Sequence, residues 1–399
     1  MDIFKTADIL LPDSVDMKKW SVVACDQYTA QPEYWERVEK FAGDSPSTLN
    51  IVYPEAFLSE GDARIEKINA KMQEYIDKKI FAKLANSLVY VERTLNSGKI
   101  RKGLVGAIDL ECYDFSKGSK SEIRATEGTI LDRIPPRVKI RQNAPLELPH
   151  AILLMNDKDN DVLGKVAKEK QIYDFDLMEN GGHISGWQIS GDMAEAAVDR
   201  VNRYAKSAKD NLVFAVGDGN HSLATAKTCW ENIKKTLTES ERESHPARFC
   251  LVEIENIHDE SLEFEPIHRV VFGQKPETVL AELKKFYDVT EEAADGAQKI
   301  TAVFGGTKKD IYIKNPSSNL EVGTLQNFLD ARAYELDYIH GADVVESLAS
   351  GDDAIGFILP CPDKSELFEA VIKDGALPRK TFSMGEANEK RFYLEAKEI

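Results

Sequence analysis

Between Leu212 and Ile233 the period of the hydrophobic pattern changes abruptly. Leu212–Val216 is a run of five apolar residues, as in a buried strand. Gly217, Gly219 and Asn220 break that run, and Leu223, Ala226, Trp230 and Ile233 then recur at three and four. The pattern predicts a strand, a tight turn and a helix, with Ser222 as a candidate N-cap. A turn of this kind brings the free amides of a helix N-terminus to the end of a strand, where glycines let an anion approach the backbone. An ordinary structural turn would also explain Gly and Asn, but it requires neither the carboxylate of Asp218 nor the imidazole of His221.

Elsewhere the same two periods alternate. Val22–Cys25 reads as a strand ending in the polar triplet Asp26, Gln27 and Tyr28, and Pro32 opens a short helix running to Phe41. Ile65, Ile68, Met72, Ile76 and Ile80 mark a helix within residues 60–84. Two strand-like segments, 87–95 and 103–110, flank a glycine-containing loop and predict a hairpin. Strands are expected at 151–155 and 172–178, with a helix at 162–170 between them, and Asp192 is expected to cap the helix that leads into the turn. After the turn helix come strands at 249–254 and around Pro266, His268 and Arg269. Residues 276–399 then alternate helices and strands, ending in a strand at 391–395. The predicted organisation is α+β, mixed sheets with helices, divided into a core domain at 1–275 and a smaller C-terminal α/β domain at 276–399.

Composition narrows the function classes. Lys and Arg number 51 against 68 Asp and Glu, a formal charge of −17, so binding to a phosphate backbone is not the expected activity and any anion must be captured locally. The five cysteines are scattered and form no C-x-x-C pair, as expected of a reduced, cytoplasmic protein. No signal-peptide pattern opens the chain and no apolar run is long enough for a membrane span, so neither a membrane nor a nucleic-acid partner is expected. A homodimer is left open.

Four further places carry residues suited to chemistry. Ile123–Arg137 gathers Arg124, Glu127, Arg133 and Arg137 beside hydroxyls and a glycine. It reads either as a solvated capping segment or as a general base, Glu127, with an arginine anion clamp. His268 and Arg269 are either a satisfied core histidine with a surface arginine or part of a site. The Arg379–Lys380 loop is either a solvated connection or a contact to an anion. Asp26, Gln27 and Tyr28 stand at a strand end, where ligand sites are common. The Gly-Asn-His triplet occurs in dinuclear metallophosphoesterases, but the additional ligand motifs of those enzymes are missing, as are the P-loop, nucleophile-elbow and kinase signatures.

Seven motifs together, Ala24–Thr29, Gly106–Leu110, Ile123–Thr129, Gly217–His221, Phe264–Arg269, Asp337–Gly341 and Leu377–Ser383, resemble the bacterial domain-of-unknown-function family 1015 over nearly the whole chain. The glycine turn is in turn similar to that of the ParB/sulfiredoxin-like superfamily, which includes a free-serine kinase and in which an Asp-Gly-His-His-Arg turn binds nucleotide phosphates. Asp218, Gly219 and His221 match; Asn220 and Ser222 stand where the motif has His and Arg. The resemblance implies a ParB/sulfiredoxin-like nucleotide-binding core. It also implies a phosphotransferase that uses ATP or ADP with Mg²⁺ on a small, serine-like hydroxyl metabolite. In this expectation Glu127 and His221 are catalytic, and Gly217, Asp218, Gly219, Asn220, Ser222, Arg124, His268 and Arg269 bind nucleotide or phosphate. Asp218 is a candidate Mg²⁺ ligand. The alternative is a non-catalytic nucleotide- or phosphate-binding regulatory module.

Overall fold

The computed structural model describes residues 2–378 and 380–399. It divides into two compact units, Met1–Leu262 with Glu386–Ile399, and Glu263–Gly385. The division expected at 275/276 therefore moves. The strand Phe264–Phe272 belongs to the second unit because all its sheet partners lie there, and the final segment returns to the first.

The first unit is built on an eleven-stranded mixed sheet, in which the strands from Tyr113–Asp114 to Lys170–Asp176 run 113–114, 123–125, 214–218, 152–155, 249–256, 100–109, 81–94, 183–189 and 170–176. Alternation of side chains sorts its residues to two faces. Leu104, Ile108, Leu153, Phe214 and Val252 pack with Ala194, Val201, Leu223 and Trp230 of the helices Gly191–Ser207 and Asn220–Ile233. Val89, Val91, Val105 and Leu251 face the other way, against Val22, Trp35, Val38 and Phe392. A third cluster joins Met72 of the helix Asp62–Asp77 to Ile51, Tyr53 and Leu146.

Several expectations change in this unit. The strand expected at 22–25 is reduced to one bridge, Val23 to Phe392, and the one expected at 391–395 makes no ladder of its own. The helix expected at 162–170 is a single 3₁₀ turn, Leu163–Lys165. Here Asp157 accepts the amides of Asp161 and Val162, and Asn160 that of Gly164, so side chains hold the backbone in turns. The helix ending at Ser207 is capped at Ser190 rather than Asp192.

In the second unit a seven-stranded sheet carries Phe264–Phe272, paired with Glu335–His340, Ala354–Ile358 and Phe382–Met384. Every pairing in it is antiparallel, so this unit is α+β rather than the expected α/β: its helices do not serve as crossovers between parallel strands. No helix among the described residues is long and apolar enough to cross a membrane.

Candidate functional site

The strand–turn–helix forms as the pattern predicts, with the strand Phe214–Asp218 leading into the helix Asn220–Ile233. The helix begins earlier than expected. Its N-cap is Gly219, not Ser222, and no side chain caps it. Gly219 has φ of +75°, and a Cβ there would lie 2.8 Å from Ala151 Cα, so both conformation and space demand glycine. The first bond of the new helix runs from Leu223 N to Gly219 O, which leaves the amides of Asn220, His221 and Ser222 as the end groups open to an anion. Asn220 Oδ1 is likewise buried with no hydrogen-bond partner.

Strand pairing brings other segments to this turn. Asp218 lies opposite Ile152, with a register shift just before it, which places His150 and Ala151 beside the turn. On the other side Ile123–Ala125 pairs in parallel with Phe214–Val216, and Thr126 Oγ1 donates to Val216 O at 2.7 Å. The loop that follows lies against the helix start, where Ile130 N donates to His221 Nε2 at 3.3 Å. The segment from residue 386 onward adds Lys390, 3.6 Å from Asp218 Oδ2, and Tyr393, whose hydroxyl shares a 2.7 Å hydrogen bond with His150 Nδ1.

Beside the turn lies a cavity of about 140 Å³, lined among others by Asp26, Glu55, Arg137, His150, His221, Ser222 and Tyr393. Burial, together with Arg137 and Arg133, lowers His221 to about 4, against a smaller opposing effect of Asp26. At neutral pH His221 is therefore uncharged, and since Nε2 accepts a hydrogen bond, Nδ1 carries the proton. Burial alone would raise Asp26. The neighbouring His150, a hydrogen bond from Gln27 and the charge of Lys390 outweigh it and keep the carboxyl below its ordinary value. Arg137 is ion-paired with Glu55, whose amide donates to Cys25 O. Cys25 itself is pushed up to about 12 by burial and by Asp26, so its thiol is not a nucleophile at neutral pH.

The expected site residues are thus separated into groups. Gly217, Asp218, Gly219, Asn220, His221 and Ser222 form the turn, and Asp26 faces the cavity beside it. Glu127 is half-buried next to Thr126 but is not among the cavity-lining residues. Arg124 is buried within a strand, donating to Ser121 O and Asp210 O, and is not among the cavity-lining residues. Arg137, another of the arginines in that segment, reaches the cavity instead. His268 and Arg269 belong to the second unit and are held there. Leu359 N donates to His268 Nδ1, and Arg269 donates to Gln326 Oε1, Ile267 O and Lys380 O while lying against the Tyr338 ring. Arg379 lies outside the described residues, while Lys380 stacks over Tyr338. His150, Lys390 and Tyr393 were not singled out from the sequence, although the Pro149-His150 pair directly before a buried strand was a visible signal.

Comparison with curated proteins finds no match. Among solved structures, SbnI from Staphylococcus aureus, with a C-terminal truncation, is 11% identical with a TM-score of 0.36, covering 73% of this chain and 82% of that one. A free serine kinase in complex with AMP is 15% identical with a TM-score of 0.38, covering 73% and 90%. A conserved hypothetical protein from Pyrococcus furiosus is 14% identical with a TM-score of 0.36, covering 75% and 96%. The family model described as protein of unknown function (DUF1015) matches residues 10–332, well over half of the chain, and the protein belongs to that family.

Proposed function

We propose that the first unit is a ParB/sulfiredoxin-like, nucleotide-dependent phosphotransferase that acts on the hydroxyl of a small metabolite. One observation carries this reading: an uncapped, glycine-shaped helix N-terminus and an ionised, half-buried carboxylate, Asp26, border the same cavity. The amides of Asn220, His221 and Ser222 receive the phosphates, and Lys390 and Arg137 supply the positive charge that an arginine at position 222 would have given. Neutral His221 donates from Nδ1 to a phosphate oxygen.

In this proposal Asp26 rather than Glu127 is the base, because it is Asp26 that lines the cavity. The acceptor hydroxyl oxygen attacks the terminal phosphorus, its proton passes to Asp26, and the bond to the bridging oxygen of the nucleotide breaks, releasing the shortened nucleotide. Asp218 is the carboxylate that would hold Mg²⁺ against the phosphates. No group of three metal-binding side chains forms among the described residues, so the phosphates and water would complete such a site. Arg124, His268 and Arg269 keep structural roles.

A regulatory, non-catalytic reading is favoured by one feature: the cations at the turn already face carboxylates, Lys390 with Asp218 and Arg137 with Glu55. Incubation with ATP or ADP, Mg²⁺ and hydroxyl metabolites, followed by mass spectrometry, separates the two. Phosphorylated product supports the enzyme. A nucleotide-induced rise in Tm without product supports the module. No rise at millimolar nucleotide overturns both.

A further inference from the structure

The cavity beside the turn has two unlike walls. One is polar, with Asp26, His221 and Arg137. The other is apolar, with Ile51, Met72, Ile140 and Leu146, which come from separate segments and belong to a single packed cluster. The charged groups that border the apolar wall, Arg141 and Glu147, are already tied to each other, and Glu147 also accepts the amide of Leu251 and faces Lys397 at 3.3 Å. Leu58 lines the cavity too and is 42% exposed, so the apolar wall continues to the surface.

We propose that the acceptor carries its hydroxyl on an apolar body about the size of a phenyl ring. The hydroxyl part of this proposal rests on the phosphotransfer reading above; the apolar body rests on the cavity alone. The volume of about 140 Å³ matches the roughly 150 Å³ at which an apolar cavity takes up benzene. Serine would fit the volume but not the chemistry. Its carboxylate would enter a site that already holds Asp26, Glu55 and Glu147, with Arg137 and Arg141 paired, and nothing in it would cover the apolar wall. A phenyl or short alkyl body removes that wall from water and lets the hydroxyl reach Asp26.

The test uses the full chain with 2-phenylethanol, hexan-1-ol, glycerol and L-serine as probes, each with and without ATP and Mg²⁺. Ligand-observed NMR reads binding, and mass spectrometry reads transfer. The expected result is binding of 2-phenylethanol or hexan-1-ol at least tenfold tighter than glycerol or serine, with phosphorylation of the bound alcohol. Ile140→Gln, at a half-buried position, and Met72→Gln, at a buried one, should each weaken alcohol binding about tenfold while the nucleotide-induced Tm rise is kept. Circular dichroism identifies a variant that has failed to fold, in which case the other carries the test. Preferential binding or turnover of serine or glycerol overturns the inference and leaves phosphotransfer standing. Alcohol binding that neither folded variant weakens overturns it as well. Alcohol bound but never phosphorylated supports the apolar body and overturns the proposed activity.

Discussion

The two units treat similar residues in opposite ways. In the first, His221 stands at an uncapped helix end on a cavity, and Asp26 is held ionised beside it. In the second, His268 and Arg269 are adjacent in sequence and equally suited to chemistry by residue type, but His268 Nδ1 accepts the Leu359 amide, and Arg269 is 0% exposed with its donors meeting carbonyls and an amide oxygen. Burial lowers both histidines, and it is His221 that lines the cavity beside the turn. A histidine next to an arginine is evidence of a site when its surroundings leave an atom to spare, and evidence of packing when they do not.

The sharpest way to test this contrast is at the cavity. Asp26→Asn keeps the shape and removes the base, so phosphotransfer should fall by roughly 10²- to 10⁴-fold with Tm nearly unchanged, whereas Glu127→Gln should cost less than tenfold. The reverse order in a kinetic assay would return the base role to Glu127. Next in size, Gly219→Val faces both a positive φ and the Ala151 backbone. It should cost about 2–4 kcal/mol in urea unfolding and abolish nucleotide binding, whereas Gly273→Ala, at positive φ but with open space around it, should cost about 1 kcal/mol. Arg269→Met should destabilise the second unit by about 1–3 kcal/mol by orphaning its buried acceptors, with the nucleotide-induced Tm rise intact. Loss of that rise in a folded variant would move the His268–Arg269 pair into the site.

Lys390→Met removes one cation from the turn and should weaken nucleotide binding about tenfold by calorimetry, or about 1.4 kcal/mol. The smallest effect is in pH. His221 is lowered in the folded protein to about 4 from an ordinary 6.5, so the unfolded chain binds the proton first as pH falls. Its contribution is complete above about pH 6.5 and is lost progressively as pH drops toward about 4. His221→Gln should therefore flatten the stability profile measured over that window.

The turn was legible because strand, glycine break and helix stripe are consecutive, and each follows from local pattern. Asp26 was legible for the same reason, as a polar group at the end of an apolar run. His150, Lys390 and Tyr393 were not, because what brings them together is the pairing of distant segments: Ile152 with Asp218, and Phe392 with Val23. The choice among Arg124, Arg133 and Arg137 was likewise beyond sequence spacing. Arg124 falls on a three-residue strand flanked on both sides, which turns its guanidinium to loop carbonyls, while Arg137 lies on the helix Ile134–Arg141, one turn from its end. The expected α/β character of the second unit failed because alternation of helices and strands fixes neither strand order nor direction.

The return of residues 386–399 to the first unit has a consequence for synthesis. Unit two is interposed between the glycine turn and the lysine and tyrosine that complete its surroundings. At about 5–20 residues per second, the ribosome takes on the order of ten seconds to make that insertion. During that interval the nascent first unit holds its glycine turn with Asp218 lacking Lys390, and Val23 lacking its partner Phe392. Under the proposed function, completion of the nucleotide site would wait until the intervening unit has been translated.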